Sequence, residues 1–481
     1  MFLFSLALLS SLPLAARAQS ASVACLQIAA SISTASSVFF PGSLSYATDI
    51  FHWASSSADL SVCSVEPGTA ADVAKILQIV GASRIPFAVK GGGHTSNPGF
   101  SSTPGVHLSM SRFSEVTYNA SAGTVIIGAG LVWDDVYTVL DPLNVTVVGG
   151  RFSGVGVAGY SLGGGYSWKS NQFGLTVDNI LGYDLVLPNG TITTVTATKN
   201  PDLYFGLKGG LNNFGIVTRF TFKAYPQTQI WGGLITYAGP TIPAVNKAVA
   251  DFSALTTDPK AQIFAAYNGA LGIAVLGHLL FYDAPTPPPG IFDEFLAIPF
   301  LTKDIGTRDL ASIVRLFPTN VTTGSRTIFD TVPVTKYTPA LVDAILNETT
   351  FWSAHLAPFG GLAVSYNIEP FLPTAVPSTN PPTAFPGTRT PGVALCPTNF
   401  FFLWVPETSD AIFHDAMHQS TAQIKALAIA EGVLGTSKYT NYAIYDTPLS
   451  DIYGPNVPRL QSIKKAVDPQ NIMGLAGGFK F

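Results

Sequence analysis

Short apolar runs separated by turn residues dominate the chain between residues 60 and 225, and their period alternates between strand and helix. Val65 and Glu66 end a strand, Pro67-Gly68 turns the chain, and the stretch to Val80 is amphipathic at helical spacing, with Thr69 or the nearby Asp72 as its cap. Strands follow at Phe87–Lys90, Val106–Leu108 and Thr124–Ile127, then a helix over Trp133–Leu140 and a strand over Val145–Val148. The run from Tyr183 to Thr193 predicts a hairpin turning at Pro188-Asn189-Gly190, and Phe214–Phe222 a further strand. This is an α+β pattern. From about 230 to 435 the chain becomes Pro-rich, with longer strands near 271–281 and 400–405 and a long, exposed loop over 373–397. From Tyr439 the pattern predicts a strand, a loop and a last helix, Val457–Ala466.

Composition narrows the class of protein. Of 481 residues 47% are hydrophobic, 11% are charged and the net charge is −4. An ordinary soluble chain carries about 25% charged residues, so Ser, Thr, Asn, Gly and Pro must supply much of this surface. Apolar material is ample for packed cores, which excludes intrinsic disorder. With no basic run and the wrong overall sign, nucleic acid is excluded as a partner.

The N-terminus is apolar from Phe2 to Leu14 and ends in Ala16-Arg17-Ala18, an A-x-A pattern. The apolar run is too short to cross a bilayer, and reads as a secretory signal cut after Ala18. Asn-x-Ser/Thr triplets at Asn119, Asn144, Asn189, Asn320 and Asn347 fit a secreted glycoprotein without membrane attachment. In an oxidising compartment Cys25 and Cys63 are expected to form a disulfide, leaving Cys396 unpaired, and these spacings make no zinc site.

Two glycine-rich segments, each leaving a strand, carry the candidate chemistry: Gly91-Gly92-Gly93-His94-Thr95 and Gly149-Gly150-Arg151-Phe152-Ser153-Gly154. Glycine lets backbone approach a ligand closely, and such loops turn N–H groups toward phosphate. Gly154 to Gly159 spells a literal G-x-G-x-x-G with Asp178 beyond it. The preceding strand ends too early, and Gly163-Gly164-Gly165 interrupts the helix that a dinucleotide fingerprint requires. His94 stands inside a glycine run, where no side chain supports packing; its imidazole is either an exposed loop residue or a nucleophile or ligand.

These motifs, with Gly174-Leu175-Thr176-Val177-Asp178-Asn179, Asn213-Phe214-Gly215-Ile216-Val217-Thr218, Tyr439-Thr440-Asn441-Tyr442 and Asp468-Pro469-Gln470-Asn471, occur in an order that resembles the berberine-bridge-enzyme-like flavoproteins of the vanillyl-alcohol-oxidase (p-cresol-methylhydroxylase-type, PCMH) family. The resemblance covers roughly residues 60–225 and 436–475. It implies a two-part PCMH-type FAD-binding domain (19–228, completed by 436–481) and a substrate domain (229–435) with an antiparallel sheet flanked by helices. FAD contacts would come from Gly91, Gly92, Gly93, Thr95, Gly150, Ser153, Gly154, Val155, Gly156, Gly159, Val217 and Asn471. The position of His94 is the one joined to the flavin 8α-methyl carbon. Relatives that hold the flavin twice carry a cysteine where this chain has Phe152, so a single link is expected. Valine at position 155 resembles the oxidases, in which dioxygen reaches the reduced flavin.

In such enzymes the flavin takes a hydride while a protein base takes a proton. The resemblance puts the base on Tyr442, flanked by Tyr439 and Asn441, and a polar substrate contact on Asn399. A free tyrosine has a pKa of about 10, so a nearby cation or donor is expected to lower that of Tyr442. The implied function is a secreted FAD-dependent oxidoreductase. It would oxidise an alcohol, a sugar or a specialised metabolite, with dioxygen as electron acceptor and hydrogen peroxide as product. Oxidative cyclisation or dehydrogenation of a secondary metabolite, and flavin binding without turnover, are the alternatives.

Overall fold

A computed structural model describes residues 14–317, 322–378 and 382–481, with side chains from residue 19 onward. Most of the expected leader and the triplet at Asn320 lie outside these residues. Helix Leu14–Ser31 opens the described chain, and Cys25 is bonded to Cys63.

A four-stranded sheet runs in the order Ser37–Phe39, Cys63–Glu66, Val106–Ser109, Phe87–Lys90. The last three strands are parallel, and helix Ala70–Ala82 supplies the crossover between Cys63–Glu66 and Phe87–Lys90. Thr69 caps that helix by accepting the Asp72 N–H. The Asp72 carboxylate accepts the hydroxyls of Ser33, Ser36 and Thr69 and the Ser33 N–H, fastening the preceding segment to the helix. Burial raises its pKa, yet these donors, Ser33 first, bring it well below the usual range.

An antiparallel five-stranded sheet follows, ordered Val116–Asn119, Thr124–Gly128, Ile216–Lys223, Ile180–Val186, Ile192–Thr196. Ile180–Val186 and Ile192–Thr196 form the expected hairpin. The strand expected at Val145–Val148 contracts to Val145–Thr146, because its antiparallel partner is only Tyr225–Pro226.

The substrate domain is a seven-stranded antiparallel sheet, ordered Thr302–Arg308, Ile230–Ala238, Ile273–Tyr282, Ala261–Ala270, Gly361–Ile368, Cys396–Trp404, Arg326–Val334. Helices Ile242–Leu255, Pro339–His355 and Asp410–Ala430 cover one face. The two-residue side-chain period sorts Cys396–Trp404 between this layer and a cavity. Phe402 meets Trp352 and Trp404 stacks on Phe413, whereas Asn399, Phe401 and Leu403 line the cavity.

Two expectations are corrected. The described residues of 373–395 form a loop with an apolar interior, ending where strand Cys396–Trp404 begins: Ala375, Val376, Ala384 and Phe385 are buried, and Phe385 packs against Gly164 and Gly209, where a Cβ would collide with it. Tyr439–Thr447 is a chain of turns, not a strand; Tyr442 and Ala443 both donate N–H bonds back to the Tyr439 carbonyl. Asn97 holds the Ala443 carbonyl and Asn213 the Phe479 carbonyl, so this closing segment is fastened to the FAD-binding part.

Asp72→Ala is expected to lower stability by about 2 kcal/mol, since it removes the acceptor of the buried Ser36 hydroxyl and of the Ser33 and Thr69 donors. The carboxylate's contribution is present above its unfolded pKa of about 4 and fades as the pH falls further. Denaturant titrations of both proteins at neutral and acid pH should therefore converge at the acid end.

Candidate active site

The two glycine loops touch. A Cβ on Gly92 would lie 2.6 Å from the Gly156 Cα, and one on Gly156 would lie 2.4 Å from the Gly92 nitrogen. Only glycine at both positions allows this approach. Gly154 to Gly159 contains only the start of a short helix, Val157–Leu162, which ends at Gly163.

The contact opens onto a cavity of about 630 Å³ between the FAD-binding part and the seven-stranded sheet, a size typical of small-molecule and cofactor sites. Gly91, Gly92, Gly93, His94, Thr95, Val155, Gly156, Gly159 and Val217 lie along its wall, as do Asn399, Tyr439 and Tyr442. Four other positions lie off that wall. Ser153 and the Gly154 N–H are both held by Asp134, at 2.7 and 2.8 Å, because that carboxylate sits in the first turn of helix Trp133–Leu140. The Gly150 carbonyl accepts the Tyr137 hydroxyl, and Asn471 is exposed in a turn beside Arg84.

His94 is half-buried as a residue, but its Nε2 is sealed from solvent and has no hydrogen-bond partner. Its ring lies on Trp53 at 4.4 Å and 8°. Burial moves its pKa down to about 4, so the imidazole is neutral at neutral pH. Trp53 also stacks on Phe329 and Phe401, whose strands pair these two residues in register. Phe152, at the cysteine position of doubly linked relatives, packs against Phe264, Phe317 and Trp168 while still lining the cavity.

Across the chamber, Tyr442 donates its hydroxyl to Glu369 Oε1 at 3.0 Å. Arg151 Nη2 donates to Glu369 Oε2 at 2.5 Å and to the Tyr442 oxygen at 3.2 Å. The guanidinium lies among the rings of Phe152, Trp168, Phe264 and Phe371, 5.5–5.8 Å from each centroid. Its Nη1 is buried and unpartnered. Burial raises the pKa of Tyr442 well above its ordinary value and Glu369 adds to the rise; Arg151 opposes both and does not overcome them. The expected lowering is therefore corrected: at rest this phenol keeps its proton. Burial likewise raises the Glu369 carboxyl, against the pull of Arg151. Tyr439 is pushed up to about 12 by burial; its hydroxyl oxygen accepts from Asn441.

Asn399 is also fixed. Ser365 donates to Asn367 Oδ1, and Asn367 Nδ2 donates to Asn399 Oδ1 at 2.7 Å. Asn399 Nδ2 is thereby left as a buried, unpartnered donor in the cavity wall.

Sequence reasoning passes over Arg151 and Glu369. The signal is nonetheless present: a charged residue inside an apolar glycine loop, and a carboxylate closing an apolar strand, in a chain with only 11% charged residues.

Residues 62–196 match the family described as FAD binding domain, and residues 438–475 the one described as berberine and berberine like. The FAD-dependent monooxygenase tpcD of Cochliobolus heterostrophus is 32% identical over 444 residues, covering 87% of this chain and 84% of that protein. An uncharacterized FAD-linked oxidoreductase of Arthroderma benhamiae is 37% identical over 282 residues, covering 58% of this chain and 56% of that protein, so the match spans little more than half of this relative. The BBE-like 1 protein of Physcomitrella patens shares the fold, with a TM-score of 0.76 at 23% identity over 93% of this chain and 97% of that one. Fold, chamber and relatives together define a flavoprotein with an FAD-binding and a substrate domain. The chain belongs to the FAD-linked oxidoreductases that carry the berberine-type closing segment.

The chamber suits FAD: closely approaching glycine backbone on one side and a sealed, unpartnered imidazole nitrogen at its wall. Gly92→Ala should separate the loops and abolish flavin retention. Gly306→Ala, which meets no atom within 4 Å, should leave it unchanged. Flavin absorbance per mole of purified protein measures both.

Proposed function

We propose that the protein is a secreted oxidase. Its FAD is attached through His94 alone, and its substrate is an alcohol carrying an aromatic ring. The observation that carries this reading is the shared chamber: His94, whose neutral ring keeps an unpartnered nitrogen, lines the same cavity as Tyr442 and Arg151, which are both bonded to the buried Glu369. An uncharged imidazole is the form able to bond to an electrophilic carbon, and Phe152 offers no second nucleophile.

Bound FAD supplies the hydride acceptor. The side chains handle the proton. The Tyr442 oxygen accepts from Arg151 and donates to Glu369, which leaves it free to accept a substrate hydroxyl. As the substrate hydroxyl gives its proton to Tyr442, the phenol proton passes to Glu369 Oε1, so no phenolate has to persist in the buried site. Asn399 Nδ2 is positioned to hold a substrate oxygen acceptor. The stacked walls of Trp53, Phe329 and Phe401 favour a planar ring and exclude water. This wall supports an aromatic metabolite over a sugar.

Relatives named as monooxygenases favour a second reading, insertion of an oxygen atom into product. Labelled dioxygen separates the two: label recovered as peroxide supports the oxidase, label in the organic product the monooxygenase. Secretion is supported by the leader-like N-terminus, the Cys25–Cys63 disulfide and the exposure of Asn119, Asn144, Asn189 and Asn347. A mobility shift after enzymatic deglycosylation of the secreted protein tests it.

His94→Ala is expected to release all flavin on denaturation, whereas the parent protein retains its yellow colour. Mass analysis of the peptide bearing His94 checks the assignment. With a donor found by anaerobic bleaching, Tyr442→Phe should cut kcat by about 10²–10⁴-fold at unchanged flavin content. Because the proton acceptor must be ionised, kcat/KM should fall as pH drops through a value above the ordinary glutamate range, in line with the upward shift of Glu369.

A further inference from the structure

Glu369 is fully buried, at 0% exposure, and a carboxyl group in such a place ordinarily keeps its proton. A protonated Glu369 could not receive the proton that Tyr442 donates toward it. The groups facing it are nearly all uncharged at neutral pH. They are Tyr442 and Tyr439 from the closing segment, Tyr160 from helix Val157–Leu162, Tyr166, Tyr337, whose hydroxyl accepts the Glu369 N–H, and the Cys396 thiol at the start of its strand. Burial holds the Cys396 thiol up at about 12 and the phenols above their ordinary range. Among the described residues, the cation that reaches Glu369 is Arg151.

Arg151 is placed by several independent contacts. It is 4% exposed, one nitrogen serves both Glu369 and Tyr442, and four aromatic rings bound the guanidinium. Rings of this kind attract a cation through their negative faces while displacing the water that would screen it. A guanidinium is moreover the cation least able to shed its proton on burial. We propose that Arg151 is a positioning residue that holds Glu369 as a carboxylate, so that Tyr442 has a buried acceptor for its proton. The proposal rests on the reading of Tyr442 as the residue beside the substrate hydroxyl. It adds a division of labour: the second glycine loop supplies the charge that keeps the substrate domain's acceptor ready. The substrate O–H bond breaks as its proton moves to Tyr442, and the phenol proton moves to Glu369; the carboxylate becomes a carboxylic acid beside an unchanged guanidinium, so the group gains the one positive charge that the substrate gives up.

The experiment compares the purified full-length parent protein with Arg151→Met, Arg151→Lys and the double variant Arg151→Met/Glu369→Gln, reading the ionisation of Glu369 itself. Infrared spectra at neutral pH should show a protonated buried carboxyl band in Arg151→Met that is absent from the parent, from Arg151→Lys and from the double variant. Thermal stability gives a second reading. In Arg151→Met the folded pKa of Glu369 lies above its unfolded value, so its contribution is present at acid pH and lost as pH rises through the folded pKa. Relative to the double variant, the folding equilibrium constant should fall by up to about tenfold per pH unit in that window. Should Arg151→Met not accumulate, Arg151→Gln keeps hydrogen-bonding capacity without charge and should show the same band. Absence of the band from the neutral variants, with no pH-dependent stability difference, would overturn the proposal. The band requires neither flavin nor turnover, so colourless protein that shows it would refute the oxidase reading and leave the role of Arg151 standing.

Discussion

Everything in the chamber depends on how closely two stretches of bare backbone approach one another. Gly92 and Gly156 belong to different loops, and neither tolerates a single added carbon atom. Their contact sets the distance between a parallel sheet that delivers His94 and a loop that delivers Arg151. Substitution at either glycine would move an imidazole and a guanidinium relative to each other without touching either side chain. That explains why chemistry-bearing residues here follow glycines so closely: the scaffold is fixed by what is missing from its side chains.

The opposite wall uses another device. Along Cys396–Trp404 alternate residues serve two masters, with Phe402 and Trp404 anchored to helices while Asn399 and Phe401 face the ligand space. The helical layer fixes the strand, and the strand's two-residue period fixes the site. Asn399 cannot reverse its amide without breaking the bond from Asn367, which is itself oriented by Ser365. A donor is thereby written into the wall by a chain of hydrogen bonds that begins on a neighbouring strand. Phe152 is dressed in aromatic neighbours in the same manner, so the loop that lacks a cysteine is held by packing instead.

Much of this architecture is legible in the amino-acid sequence. Helix Trp133–Leu140 and strand Phe87–Lys90 follow directly from the pattern, because local period and turn chemistry agree there. The ordered glycine motifs are sufficient to bring out His94 and Tyr442. What stays hidden is what depends on tertiary arrangement. Tyr439–Thr447 has the composition of a strand but finds no partner strand, so it turns on itself. The loop over 373–397 looks polar and Pro-rich, yet Phe385 fills a gap left by distant glycines. Arg151 and Glu369 are far apart in sequence, and although each is a charged residue in an apolar setting, nothing in the chain pairs them until the fold buries them together. The sign of the shift on Tyr442 escapes a reading of the chain for the same reason: a cation is indeed beside it, but so are a carboxylate and the loss of water.

The closing segment joins the FAD-binding part only after the entire substrate domain has been made. Tyr442 lies in that segment, held by Asn97 through the Ala443 carbonyl, while its hydroxyl reaches Glu369 in the middle of the chain. A ribosome therefore releases the glycine loops long before the residue that completes the Arg151–Glu369–Tyr442 group. Until that segment docks, the chamber lacks the stretch of wall supplied by Tyr439, Asn441 and Tyr442. The last part of the chain to be made is thus the part that closes the cavity around residues made long before it.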